Sequence, residues 1–389
     1  MPGAPILVIN TGSSSLKAGI YARVDGEERA VVEGLADKVG SANGSATLRD
    51  AKGEILRQEN LALPSQNDAL KTFVRWFAEL KQPEPQAIGH RVVHGGPHLV
   101  SHQLITDQLL QILRASVHFA PLHIPAALAL MEETQHIYPK LPQYACFDTA
   151  FHRTLSEVAA RFALPGPFFE EGLRRYGFHG LSYESIVHRL GGALPGRIVI
   201  AHLGSGASVA AVKDGRSIDT SMGLTPTGGI VMATRSGDLD PGALLYLLRT
   251  YARTPDVLEN LLNRESGLLG ISGGSGDMRD LEMRAKAGDN HAEMAIHIFC
   301  RSIAKTVASY AAVLDGIDMF VFTGGIGEHS AWVRREVCVA LQFMGLVLAE
   351  PANEAHASMI STVDSLIQVK VLASQEDEQI ARHCRALMS

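Results

Sequence analysis

The chain has 389 residues, 46% hydrophobic and 20% charged, with a formal net charge of −6 and a pI near 6.2. It is longer than the roughly 250–300 residues at which a single core stops growing, so two domains are expected. The acidic balance argues against a general nucleic-acid binder.

Four scattered cysteines, Cys146, Cys300, Cys338 and Cys384, show no Cys-x-x-Cys spacing. Neither a zinc site nor a disulfide framework is indicated, and a cytoplasmic location is expected. No run of about 18 apolar residues is present to span a membrane, and the short apolar run at 6–9 does not read as a signal peptide.

The first predicted strand, Ile6-Leu7-Val8-Ile9, runs into Asn10-Thr11-Gly12-Ser13-Ser14-Ser15-Leu16-Lys17. This is a phosphate-handling turn in outline. Gly12 lets the backbone approach a ligand, hydroxyls and amide N–H groups can donate, and Lys17 adds a mobile charge. Strands at 5–9 and 16–21, with weaker alternation at 29–36, suggest an antiparallel meander. A helix follows at 67–80, ended by Pro83 and Pro85, and then a strand at 87–93. Helical spacing at 106–117 and 125–137 opens on Thr106 as a cap and Pro125 in the first turn. A short strand at 144–147 delivers Asp148. Tight turns at 165–167 and 176–177 mark a boundary, giving domains of 1–150 and 151–377, with a final helix at 378–389 returning to the first.

The second part repeats the scheme. Strands at 197–202 and 207–212 flank His202-Leu203-Gly204-Ser205-Gly206. Lys213-Asp214-Gly215-Arg216 is a hairpin turn, and 217–220 a third strand. Helices follow Pro241 and Pro255, a long helix covers 291–314, and a strand at 319–322 ends in Gly324-Gly325-Ile326-Gly327. Alternating strands and helices with some antiparallel pairs make an α/β pattern.

Four glycine-rich turns stand out, at Gly12, 204–206, 273–276 and 324–327. None is a P-loop, and Gly325-x-Gly327 lacks the third glycine of a dinucleotide fingerprint. Their repetition favours shared phosphate cradling. Arg91, on an apolar strand, is either a bidentate clamp for an anion or half of a structural salt bridge. His90, His94, His98 and His102 would form a metal stripe on a helix, but Gly95-Gly96-Pro97 and Val92-Val93 argue for a strand, so no metal is expected there. Asp240 reads as the cap of the helix at Pro241, which leaves Arg235 free to point elsewhere. His179 lies in a glycine-flanked loop. Ser374 reads as a helix cap, with Asp377 and Glu378 explained as first-turn acids and Glu376 open to ligating Mg²⁺.

Together these segments resemble the acetate kinase (acetokinase) family, within the acetate and sugar kinase/Hsp70/actin superfamily. The matching pieces span the chain: 10–17, 90–96, Phe147-Asp148-Thr149-Ala150-Phe151-His152, Tyr176-Gly177-Phe178-His179-Gly180, 202–208, 234–241 and 322–328. The resemblance implies a two-domain actin-like ATPase (ribonuclease H-like) fold with mixed sheets and a cleft between the domains. It implies reversible phosphoryl transfer from ATP to acetate, with Mg²⁺ or Mn²⁺, by a homodimer.

By motif, Asn10 and Glu376 would hold the metal, Lys17 would meet ATP phosphate, and Arg91 would bind the acetate carboxylate. Asp148, His179 and Arg235 would be catalytic. His202, Leu203, Gly204, Ser205 and Gly206, with Gly325, Ile326, Gly327, Glu328 and His329, match the nucleotide loops. Asp277, Met278 and Arg279 match the segment beside the adenosine. Val93, Leu122, Phe178 and Pro226 would surround the methyl group.

The chain departs from the family pattern at Ser205, His329, Ile124, Met278 and Leu181-Ser182-Tyr183, none of which removes an acid, base or charge clamp. Propionate or butyrate kinase, an actin- or Hsp70-like ATPase and a pyrophosphate-dependent kinase are the competing readings. Retained Asp277 and Arg279 weaken the last.

Overall fold

The computed structural model describes residues 3–12, 14–121 and 123–389, so Leu122 and Ser13 lie outside the described residues. Strand β1 (Ile6–Thr11) shows why its sequence is an unbroken apolar run. Leu7 and Ile9 face a core with Phe73 and Trp76 of the Gln66–Glu79 helix. Ile6 and Val8 face the opposite core, with Ile380, Ala381 and Cys384 of the Glu376–Met388 helix. A strand covered on both faces needs apolar residues at every position.

The chain divides into two compact units. The first comprises Met1–Ala150, Gly180–Ser185 and Gln375–Ser389. Its sheet contains β1, β2 (Ser15–Val24), β3 (Glu27–Asp37), β4 (Ser41–Asp50), β5 (Ile55–Leu63), β6 (Ala87–Val92), β7 (Gln103–Leu104) and β8 (Gln143–Phe147), in the order β5-β4-β3-β2-β1-β6-β8-β7. β1 is antiparallel to β2 and parallel to β6, and β6 is parallel to β8. The meander expected at the front is longer than its sequence suggests, because β4 buries only alternate positions and β5 is polar and mostly exposed, burying only Leu63.

The second unit comprises Phe151–His179 and Ile186–Ser374. Its sheet contains β9 (Arg197–Leu203), β10 (Ala207–Lys213), β11 (Arg216–Thr220), β12 (Met319–Thr323) and β13 (Gln368–Val371), in the order β11-β10-β9-β12-β13. β9 is antiparallel to β10 and parallel to β12. The Asn290–Leu314 helix buries Ala292, Ala295, Ile296, Phe299, Ile303 and Val307 along one stripe. Asp214 and Gly215 both take positive φ, 49° and 76°, as a two-residue hairpin turn requires.

Two local expectations are corrected. The tight turn expected at 165–167 opens a short helix, Gly166–Glu170, with Pro at its start. The glycine run after β12 is a helix, Gly324–His329, and not an open turn. Gly324 permits it: φ is +77°, and a Cβ there would lie 2.8 Å from the Leu203 carbonyl oxygen.

Candidate active site

In the first unit the parallel alignment of β1, β6 and β8 brings their C-terminal ends side by side, and with them Asn10, Arg91 and Asp148. Arg91 forks onto Asp148: Nε lies 3.0 and 3.1 Å from the two carboxylate oxygens, and Nη2 lies 2.6 Å from Oδ2. Nη1 donates to Asn10 Oδ1 at 3.0 Å and lies 3.9 Å from Glu376 Oε2. Burial alone would lower the Arg91 pKa, but the charges of Asp148 and Glu376 outweigh it and hold it raised.

The Asn10 amide nitrogen donates to Asp377 at 2.7 Å and to Glu376 at 3.3 Å. Lys17, directly opposite Asn10 on β2, places Nζ 3.9 Å from Asp377 while its side chain stays 58% exposed. The Asp377 charge raises the Lys17 pKa against the opposing effect of burial. The result is a patch of alternating charge with acidic oxygens at its rim.

A second group in this unit, His102, Glu184 and His383, has metal-like spacing, with one ligand atom from each within 4.8 Å of the others. The tautomer argues against a metal. The Phe147 backbone N–H donates to His102 Nδ1 at 3.0 Å, so the proton of neutral His102 sits on Nε2, the atom a metal would need bare. Glu184 instead lies 2.6 Å from His383 Nε2 and 3.5 Å from His102 Nε2. Burial would raise its pKa, but hydrogen bonds from the two imidazoles bring it down to about 2. His90, on β6, is buried and pairs with Gln143 at 2.7 Å.

In the second unit His179 adopts the left-handed conformation, φ 57°, immediately before the Gly180–Leu190 helix. Its Nδ1 is 2.8 Å from Ser208 Oγ on β10, and its ring stacks on His202, at the end of β9, with centroids 4.3 Å apart. The β9–β10 turn carries Gly204, exposed Ser205 and Gly206 beyond buried Leu203. A Cβ on Gly206 would lie 3.3 Å from His179 Nε2 and 3.6 Å from Arg235 Nη1, so these two side chains converge on that glycine. Arg235 Nη1 also donates to the carbonyl of Pro226 at 3.2 Å. Phe178 is buried, and Val93, in the first unit, is half-buried.

Asp277 caps the Met278–Lys286 helix through the Arg279 N–H and pairs with the exposed Arg279 side chain; Met278 itself is buried. In the Gly324–His329 helix, Gly325 and His329 are exposed, Ile326 is half-buried, and Glu328 Oε1 accepts the Gly324 N–H at 3.0 Å.

Three residues enter that the sequence reading did not assign. Asp377, taken there as only a first-turn acid, holds Asn10. His152 Nε2 lies 3.0 Å from the Phe178 carbonyl and Nδ1 lies 2.7 Å from Ser217 Oγ, which fixes the peptide before His179. Arg334 is wholly buried against the Gly324–His329 helix. Its apolar neighbours Val333 and Val337 gave no sign of a buried charge. Ser374 is not the cap expected of it: Gln375 occupies that position without a side-chain bond, and the Ser374 N–H donates to Glu328.

Comparison with known proteins agrees with this layout. Residues 5–382 match the family model described as the acetokinase family. An acetate kinase of Methylocella silvestris is 42% identical, covering 98% of both chains. Among solved structures, a propionate kinase of Francisella tularensis superposes with a TM-score of 0.91 at 37% identity, covering 98% of both chains. An acetate kinase of Porphyromonas gingivalis superposes at 0.88 with 34% identity over the full length of both. The mixed α/β fold with its two sheets is therefore the fold of these kinases, and the chain belongs to the acetokinase family.

Proposed function

We propose that this protein is an acetate kinase, transferring the γ-phosphoryl group of ATP to acetate and, in reverse, of acetyl phosphate to ADP. The observation that carries the reading is the Arg91 guanidinium, held by Asp148 and Asn10 at the ends of three adjacent strands. Arg91 then receives the acetate carboxylate. Val93, Phe178 and Pro226, with Leu122 from the family resemblance, are the proposed surroundings of the methyl group.

The chemistry needs no strong base. A carboxylate with a solution pKa near 4 is already ionised at pH 7. One acetate oxygen forms a bond to the γ-phosphorus while the bond from that phosphorus to the bridging oxygen breaks, and ADP leaves with the electron pair. Catalysis of such an in-line, largely dissociative transfer rests on positioning and charge cancellation. Asp148, already bonded to Arg91, acts by orienting that clamp. With Nδ1 directed to Ser208, His179 presents Nε2 beside Arg235, and these two groups stabilise the transferring phosphoryl. Lys17 meets phosphate. The loops at 202–206 and 325–329, with 277–279, hold the nucleotide.

The donor set fits a hard cation: Glu376, with Asp377 beside it, offers carboxylate oxygens. Asn10, which the resemblance makes a metal holder, donates its amide nitrogen to both carboxylates and accepts from Arg91 through Oδ1. Mg²⁺ held there, with Mn²⁺ as an alternative, would supply charge neutralisation on the phosphates. Cytoplasmic location and a homodimer belong to the same reading. No helix among the described residues is long and apolar enough to cross a membrane.

A hydroxamate trap for acyl phosphate, run with ATP and then with pyrophosphate, tests the reading. Acetate-dependent trapping with ATP is the expected result; ATP hydrolysis indifferent to acetate would overturn it. The similarity to a propionate kinase makes propionate the second reading. Because one methylene is worth only about 1–3 kcal/mol, kcat/KM for acetate, propionate and butyrate must be compared directly. Acetate is expected to lead, and equal values would contradict the preference.

A further inference from the structure

Arg334, in the Ala331–Ala340 helix, is fully buried, yet none of its bonds goes to a carboxylate. Nη1 donates to the carbonyls of Gly327 and Glu328, both at 2.9 Å. Nε donates to Asn353 Oδ1 at 2.8 Å, and Nη2 to the Asn353 carbonyl at 2.8 Å and to His356 Nδ1 at 3.0 Å. A guanidinium has five N–H donors, and these contacts use all five. Burial pulls its pKa down, while the negative charges of Glu354 and Glu282 offset part of that effect.

Apolar packing would usually stabilise such an interior position at least as well as a buried charge. What the guanidinium adds is direction. It fixes the carbonyls in the last turn of the Gly324–His329 helix, where a positive charge also suits the helix dipole. At the other end of the same helix, Glu328 Oε1 accepts the N–H groups of Gly324 and Ser374, at 3.0 and 3.1 Å. The glycine segment is thus held from both ends by side chains of opposite sign. Between them, exposed Gly325 has no atom within 4 Å of where a Cβ would lie, so its backbone borders open space.

We infer that Arg334 is a positioning residue for nucleotide binding: it holds the 324–329 segment in the conformation that receives ATP, without touching ATP itself. This inference rests on the kinase reading above. Placement errors of about 1 Å are costly in such sites, which gives a rigid, fully bonded anchor a function beyond stability.

The test is steady-state kinetics on two variants of the full chain, with ADP affinity measured by calorimetry. Arg334→Lys keeps the charge but has three donors at a single nitrogen, so it cannot reproduce the fork. KM for ATP and Kd for ADP are expected to rise at least about fivefold, equivalent to about 1 kcal/mol, with KM for acetate unchanged. Asn353→Ala removes one acceptor and leaves the other four bonds, and a smaller rise in the same two constants is expected. If Arg334→Lys is not recovered folded, Asn353→Ala decides alone. Lower stability with unchanged KM for ATP and unchanged Kd for ADP marks a purely structural residue and overturns the inference. Failure of the unsubstituted chain to bind ADP or to form acetyl phosphate overturns the kinase reading instead.

Discussion

The β1–β2 turn and the β9–β10 turn occupy equivalent places in two sheets whose cores share one strand order, β3-β2-β1-β6-β8 and β11-β10-β9-β12-β13. Their glycines do different work. At Gly12 an added Cβ would meet the Ser15 hydroxyl at 2.6 Å, the movable end of a short side chain. At Gly206 it would meet His179 Nε2 and Arg235 Nη1, at 3.3 and 3.6 Å. The first turn is a hairpin closed on itself, with the Gly12 N–H donating to the Ser15 carbonyl at 2.9 Å. The second is closed in the same way, its Gly204 N–H donating to the Gly206 carbonyl at 3.0 Å, but the His179 and Arg235 side chains converge on its glycine. The repeat is therefore one of architecture, and the chemistry is distributed unequally: paired charges at strand ends in the first unit, a glycine approached by His and Arg side chains in the second.

The largest test of that contrast removes the charges. Arg91→Ala and Arg235→Ala are each expected to lower kcat by about a thousandfold, the order seen when a preorganised donor is lost. Arg91→Ala should also cost about 3–5 kcal/mol of stability, because it takes the guanidinium away from the buried Asp148 carboxylate. The Arg91→Ala, Asp148→Asn double variant should recover stability without recovering turnover. Chemical denaturation beside initial rates checks both, and a double variant as unstable as the single would show that Arg91 is not fastened through its charge.

His90, next to Arg91 on β6, has the opposite character: a buried imidazole with neutral partners. Burial lowers its pKa from 6.5 to about 4. Between those values the unfolded chain takes up the proton and the folded chain does not. The resulting stability is fully present above pH 6.5 and lost as pH falls towards 4, by up to about 3 kcal/mol. His90→Gln, which cannot titrate, should flatten that part of the stability profile. An unaltered slope between pH 6.5 and 4 would remove His90 as its source.

A milder comparison substitutes the two turns themselves. Gly206→Ala should reduce kcat by up to about tenfold by pushing His179 aside by a few tenths of an ångström, whereas Gly12→Ala should stay within a few-fold after Ser15 rotates. Equal losses would mean that the two turns are chemically alike after all.

Much of this was legible in the chain because local rules and tertiary structure agree. The Thr106 and Asp240 caps, the Asp214-Gly215 hairpin and the two-sided apolar run of β1 are examples. The misses share a cause. Glu376, Asp377 and Glu378 have the same first-turn signature, and only tertiary packing brings Asp377, with Glu376, to Asn10 across 367 residues of chain. Arg334 reads as a surface arginine until the oxygens and the imidazole nitrogen around it are in place. Arg91 was open between clamp and salt bridge. It makes the salt bridge, and the clamp role belongs to the proposed function.

The smallest expected effect concerns Asp377. Asp377→Asn keeps an oxygen and nearly the same shape but removes the negative charge 3.9 Å from Lys17 Nζ. Because Lys17 is more than half exposed, solvent screens the pair, and an interaction of this kind is worth about 0.2–1 kcal/mol. The Lys17 pKa should fall towards its ordinary value, since Asp377 is the main cause of its rise. If Asp377 also faces the metal, the apparent KM for Mg²⁺ should increase about two- to fivefold while KM for acetate holds, a change of the size that interaction allows. Titrating Mg²⁺ at saturating ATP separates the two roles. A shifted Lys17 titration with an unchanged Mg²⁺ dependence would confine Asp377 to orienting Asn10 and Lys17, leaving Glu376 as the carboxylate that meets the cation.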